Sequence, residues 1–178
     1  MLVMKKIRFL SCYFLFAIPI FLSSCVDEPH FPEKPHIEFD RLSRDLIDQR
    51  DTFRIFVTIE DGDGDIGFED QPISQCDNPC DLTSDSSCLN YNTLFLLDSR
   101  DNCLHLFNLP HVEPKGQNNA ISGTVDILVE ELCCFDPEAG FCPTSIPFDT
   151  VTFDVFLKDR AGNFSDTITT PPVVIRCI

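Results

Sequence analysis

From residue 37 onward the chain runs as short apolar stretches separated by clusters of Asp, Asn, Gly, Pro and Ser, with almost no helical periodicity. Residues 53–59, Phe-Arg-Ile-Phe-Val-Thr-Ile, are dense in β-branched and aromatic side chains and alternate in part, which predicts a strand. Further strands are predicted over 93–97, 104–109, 123–130, 151–157 and 165–170, with 173–175 beyond the Pro171-Pro172 break. The run Asp98-Ser-Arg-Asp-Asn102 suits a hairpin turn between the second and third of these. Over 41–50, the spacing of Leu42, Leu46 and Ile47 reads as one or two helical turns or as an irregular linker. No internal repeat is present. Many short strands with turn signals between them predict an all-β domain over 37–178, an antiparallel β-sandwich of immunoglobulin-like type.

The N-terminus follows a different rule. Lys5, Lys6 and Arg8 precede an apolar run over 9–21, which ends in Leu22-Ser23-Ser24-Cys25. Charge, length and a cysteine after small residues read as a lipoprotein signal over 1–24, with Cys25 as the lipidated, palmitate-bearing first residue of the processed chain. The run is interrupted by Ser11, Cys12 and Pro19 and falls short of the roughly 20 residues that span a bilayer. A retained anchor, or a leader cut elsewhere, is the alternative. Residues 25–36 are proline-rich and form an extended tether, and Asp27 and Glu28 resemble the signal that sends lipoproteins to the outer leaflet. The expected location is the outer membrane, lipid-anchored and surface-exposed, with a periplasm-facing orientation as the alternative.

Removing the leader takes away three of thirteen basic residues and none of the twenty-nine acidic ones, leaving ten against twenty-nine, a formal balance of −19. Such a surface repels polyanions, so no nucleic-acid partner is expected. It accepts cations, or it merely keeps the domain soluble. With no tryptophan in the chain, and Tyr91 the one tyrosine after the leader, a sugar-stacking platform has little to build on. The thirteen phenylalanines from Phe31 to Phe164 read as core.

Cys76, Cys80, Cys88, Cys103, Cys133, Cys134, Cys142 and Cys177 remain after the leader and Cys25 are set aside. An even number in an exported chain predicts up to four disulfides that staple loops, with 105 pairings open. Zinc held by these thiols with His105 or His111 is the competing reading. Its spacing is poor, because Cys76 and Cys80 stand C-x3-C and Cys133 and Cys134 are adjacent.

Directly after the strongest strand comes Glu60-Asp-Gly-Asp-Gly-Asp-Ile-Gly67. Aspartates at alternate positions, with glycines between them, suit hard-oxygen coordination of calcium by Asp61, Asp63 and Asp65, with Glu69 and Asp70 as weaker candidates. An EF-hand is excluded, because Ile66 stands where its glycine belongs and Pro72 where its glutamate belongs. The other reading is a solvated acidic turn that caps the strand. Asp159 and Asn163 complete an acidic site if their turn meets this loop; otherwise they cap their own turn around Gly162. Asp149-Thr150-Val151 and Asp166-Thr167-Ile168 resemble a short O-glycosylation sequence. Nucleophile-elbow, phosphate-loop, dinucleotide and zincin motifs are all missing, so no catalytic residue and no enzyme are expected.

The strand ending in Asp-Gly-Asp-Gly-Asp-Ile-Gly, the Gly123-Thr-Val strand and the closing Asp159-Arg-Ala-Gly-Asn-Phe-Ser165 turn resemble a family of Bacteroidota-type outer-membrane and surface lipoproteins over most of 36–176. The resemblance implies an immunoglobulin-like sandwich on the cell envelope and no activity. The expected function is a membrane-anchored, non-enzymatic binding or accessory module that works through protein–protein contacts. The alternatives are a metal-dependent extracytoplasmic hydrolase and a structural spacer subunit.

Overall fold

A computed structural model describes residues 30–68, 76, 79–80, 86–90, 93–113, 119–143 and 145–177. The leader, Cys25, Glu69, Asp70 and Tyr91 therefore lie outside the described residues. The described chain is almost all β: β1 (His36–Leu42), β2 (Leu46–Asp48), β3 (Phe53–Asp61), β4 (Leu94–Asp98), β5 (Leu104–Phe107) and β6 (Ile121–Val129). They are followed by β7 (Phe135–Asp136), β8 (Gly140–Phe141), β9 (Phe148–Val151), β10 (Phe153–Leu157), β11 (Ile168–Thr169) and β12 (Val173–Arg176). A short 3-10 turn, Ser86–Leu89, precedes β4.

One sheet has the order β1-β3-β6, all antiparallel. A second has the order β11-β10-β4-β5, and a third β2-β12-β9, in which β2 runs parallel to β12. The second and third are continuous in chain terms, since β9 and β10 are separated by Thr152 alone and β11 and β12 by Thr170, Pro171 and Pro172. The register slips by one residue between the pair Asp154–Thr169 and the pair Val151–Val173, where Pro171 and Pro172 offer the ladder no amide donors. Inward positions from all three sheets enter one apolar core, among them Phe53, Ile55, Val57, Leu96, Val151, Phe153, Val155 and Ile175. The Phe53 and Phe153 rings approach to 6.0 Å across it. The fourth sheet is the small β7–β8 hairpin.

Three details differ from the sequence reading. Residues 41–50 hold no helix. Leu42 ends β1 opposite Ile55, and Ile47 is buried on β2 opposite Ile175, so the helical spacing arises from apolar residues that serve two different strands. The 165–170 strand shrinks to Ile168–Thr169, because the hydroxyls of Ser165 and Thr170 accept the amides of Leu157 and Phe153 at 3.0 Å each, doing by side chain what a ladder does by backbone. Phenylalanine is not uniformly core: Phe53, Phe95 and Phe153 are fully buried, whereas Phe141 and Phe148 are more than half exposed.

The eight cysteines form four disulfides, Cys76–Cys88, Cys80–Cys103, Cys133–Cys142 and Cys134–Cys177. Cys80 and Cys103 lie beside Asp101 as a metal site would need, but their sulfurs are bonded to each other and offer no thiolate to zinc.

Candidate metal centre

The inward register of β3 runs Phe53, Ile55, Val57, Ile59 and then Asp61, so the period of two carries a carboxylate to the end of the core with no exposed surface. The inward register of β10 runs Phe153, Val155, Leu157 and continues to Asp159, which is 2% exposed. Phe53 lies against Phe153, and both strands lead away from that contact in step. Two buried aspartates therefore finish facing strands at the same end of the domain.

The loop after β3 adds two more. One carboxylate oxygen from each of Asp61, Asp63 and Asp65 lies within 4.8 Å of the other two. The Oδ1 atoms of all three are buried, and none has a hydrogen-bond partner among the described residues. Gly64 has φ of 69° and Gly67 of 82°, left-handed values that turn the chain back twice within four residues. Between them Ile66 is a core residue that pins the loop from below, which is why it stands where an EF-hand has glycine. Gly62 passes so close to the N-terminal segment that a Cβ would run into the carbonyl oxygens of Phe31 and Pro32, and its amide donates to Pro32 O at 2.8 Å.

The closing turn meets this loop. The amide of Ala161 donates to Asp65 Oδ2 at 2.9 Å, and that of Arg160 to Asp65 O at 3.2 Å. Within the turn, Asp159 accepts from the Asn163 amide and from Asn163 Nδ2, each at 2.7 Å, and Gly162 has φ of 96°. Asp159 thus spends both oxygens on its own turn and contributes charge rather than a ligand atom. Arg160 stays at the rim, where its guanidinium meets Gly67 O and His111 Nδ1 at 3.3 and 2.9 Å.

Burial pushes the Asp61 carboxyl up to about 6, with Asp63 and Asp65 adding to the effect, while the Asp65 amide donating to Asp61 Oδ2 works against it. Asp65 is also raised, first by burial and then by Asp159. A carboxyl whose folded value exceeds its unfolded one makes the folded state bind more protons between the two, so stability falls as pH rises through that window. In chelator, the Asp61 carboxyl is expected to contribute on the order of 2 kcal/mol more stability at pH 4 than at pH 7, read as the difference between the parent and Asp61→Asn. Urea midpoints at the two pH values measure it.

The opposite end of the same strands solves the same problem differently. Asp98 pairs with Phe153 at the start of β10. It is buried, and the 6% exposed guanidinium of Arg100 binds it at 2.6 Å and Asp149 at 2.8 Å. Sequence reading took 98–102 only as a turn and missed this network. The signal was present, since Leu94, Leu96 and Asp98 share the inward period. It also missed an apolar groove of about 470 Å³ beside the acidic loop, lined by Ile59, Ile66, Phe107, Leu109, Val112 and Ile121. Of the two O-glycosylation-like sites, Asp149 is engaged by Arg100, while Thr150 and Thr167 are exposed. Comparison with protein-family models, curated proteins and solved structures finds no match to this chain.

Proposed function

We propose that this chain is a lipoprotein anchored in the outer membrane through Cys25 and displayed at the cell surface, where it serves as a non-enzymatic binding or accessory module. Its fold is read as an immunoglobulin-like sandwich related to the DGDGDIG lipoproteins. The strand order supports this: β1, β3 and β6 fall where strands A, B and E belong, and β4, β9/β10 and β11/β12 where C, F and G belong, with β5 as C′. Four disulfides agree with an exported chain.

The observation that carries a binding role is the apolar groove. Its sides come from β5 and β6, the outer strands of two different sheets, and Val112 at its mouth is 50% exposed. Apolar surface left open beside paired sheet edges suits contact with a side chain or short segment of a protein partner. A metal-dependent hydrolase draws less support, because Asp61, the innermost carboxylate, has no exposed surface from which a substrate could be reached. A photo-crosslinker at position 112, activated in intact membranes, is expected to capture one stoichiometric protein partner, and Val112→Glu to abolish co-purification. Recovery of the chain alone, with the crosslinker unreacted, overturns the reading.

A further inference from the structure

We propose that Asp61, Asp63 and Asp65 hold one calcium ion, and that the ion locks the acidic loop onto both the closing turn and the N-terminal segment around Pro32. The site stands on the domain's own residues and does not depend on the lipid anchor or on a partner.

The buried end of Asp61 is the first ground. Its Oδ2 accepts the Asp65 amide at 3.0 Å, but Oδ1 is enclosed and meets no donor among the described residues, and the Oδ1 atoms of Asp63 and Asp65 are likewise enclosed and without one. Carboxylate oxygens without a positive partner are rare inside proteins because desolvating them is costly. Three in one place call for a shared cation. The geometry matches one: calcium binds oxygen at about 2.3–2.6 Å, so two ligands across an ion stand at most about 5 Å apart. The three ligand oxygens here lie within 4.8 Å of one another. Calcium's six to eight places leave room for bidentate carboxylates and water.

The far end of the fold supplies the comparison. There, buried Asp98 and partly buried Asp149 receive charge-assisted bonds from Arg100, a cation supplied by the chain itself. At the near end no arginine or lysine forms an ion pair with Asp61, Asp63 or Asp65 among the described residues; Arg160 acts on Asp65 by its charge, without a side-chain bond. Arg160 has its guanidinium on Gly67 O and His111. The same fold neutralises one acidic end with a side chain and leaves the other for an ion.

The loop is also held in shape before any ion arrives. Gly62 is fixed to Pro32, Asp65 to Ala161, and Phe68 to Leu109 and His111 through backbone bonds of 3.3 and 3.1 Å. Because two of these contacts involve the segments before β1 and after β10, drawing the three carboxylates onto an ion tightens both junctions. A preformed site of this kind loses little freedom on binding.

The test uses the full chain, purified oxidised in detergent and stripped with chelator. Calcium chloride is expected to bind with one-to-one stoichiometry by calorimetry and to raise the unfolding temperature by at least 5 °C. Magnesium chloride at equal concentration is expected to give a much smaller shift. Asp61→Asn and Asp63→Asn should each lose the calcium shift while unfolding in chelator no earlier than the parent, since each removes a repelling charge. Asp166→Asn, at an exposed ion pair with Lys34, should keep it. Amide hydrogen exchange at Gly62, Arg160 and Ala161 should slow at least tenfold with calcium. No heat and no shift up to about 10 mM calcium, above the weakest extracellular sites, overturns the proposal. So does an undiminished shift in both aspartate variants, a magnesium response equal to that of calcium, or unchanged exchange at the three amides.

Discussion

Replacing Arg100 by methionine is expected to destabilise the oxidised protein by about 3–5 kcal/mol, the cost of leaving buried charges unpaired, and to lower its unfolding temperature by roughly 10 °C. Arg100 binds both oxygens of Asp98 and one of Asp149, and donates to Cys133 O at 2.7 Å. The side chain is thus the common partner of the β4–β5 turn, β9 and the loop that carries Cys133. Removing it strands a carboxylate inside the protein. The prediction has an internal control: adding Asp98→Asn and Asp149→Asn to Arg100→Met should recover most of the loss, because the uncompensated charge and not the missing ion pair is the larger cost. Arg100→Lys should fall between, since an ammonium cannot reach Asp98, Asp149 and a carbonyl from one plane. Urea unfolding of the four proteins measures the series. A loss under 1 kcal/mol for Arg100→Met would show that the network contributes little.

This network and the aspartate loop also show how far a sequence of this kind can be read. The strand of residues 53–59 was legible because four alternate positions face one core, and the same period, carried one step further, puts Asp61 in the interior. Counting on from Val155 and Leu157 does the same for Asp159. Their convergence was not legible, because it depends on β3 and β10 facing each other across the core, a relation between residues about a hundred positions apart. The error at 41–50 has a similar origin. Helical spacing is a local signal, and here Leu42 and Ile47 take their places from Ile55 and Ile175, which no local window contains. Ile66 looked like a defect in a calcium loop and is instead the residue that seats the loop on the core.

The cysteines were countable but not assignable, and the adjacent pair shows why. Cys133 turns outward to Cys142, nine residues along, while Cys134 turns into the core to meet Cys177, forty-three residues away. Sequence offers no reason to send neighbours in opposite directions; the alternation of a strand-like backbone does. Loop-closure entropy ranks the two bridges, at about 4 kcal/mol for the longer loop and about 2.6 for the shorter. Burial widens the gap. Gln49 accepts the Cys134 amide and donates to Cys177 O, at 3.2 and 3.4 Å, so this bridge fastens the chain after β6 to the end of β12. Replacing both buried sulfurs with alanine methyl groups would also leave a cavity. Cys134→Ala with Cys177→Ala is therefore expected to lower stability by 4 kcal/mol or slightly more, and Cys133→Ala with Cys142→Ala by about 2–3, measured as urea midpoints of the oxidised double variants. Equal losses would mean that the buried bridge acts on the unfolded chain no more than the exposed one does, and a reversed order would place the stabilising constraint in the β7–β8 hairpin instead of at the end of β12.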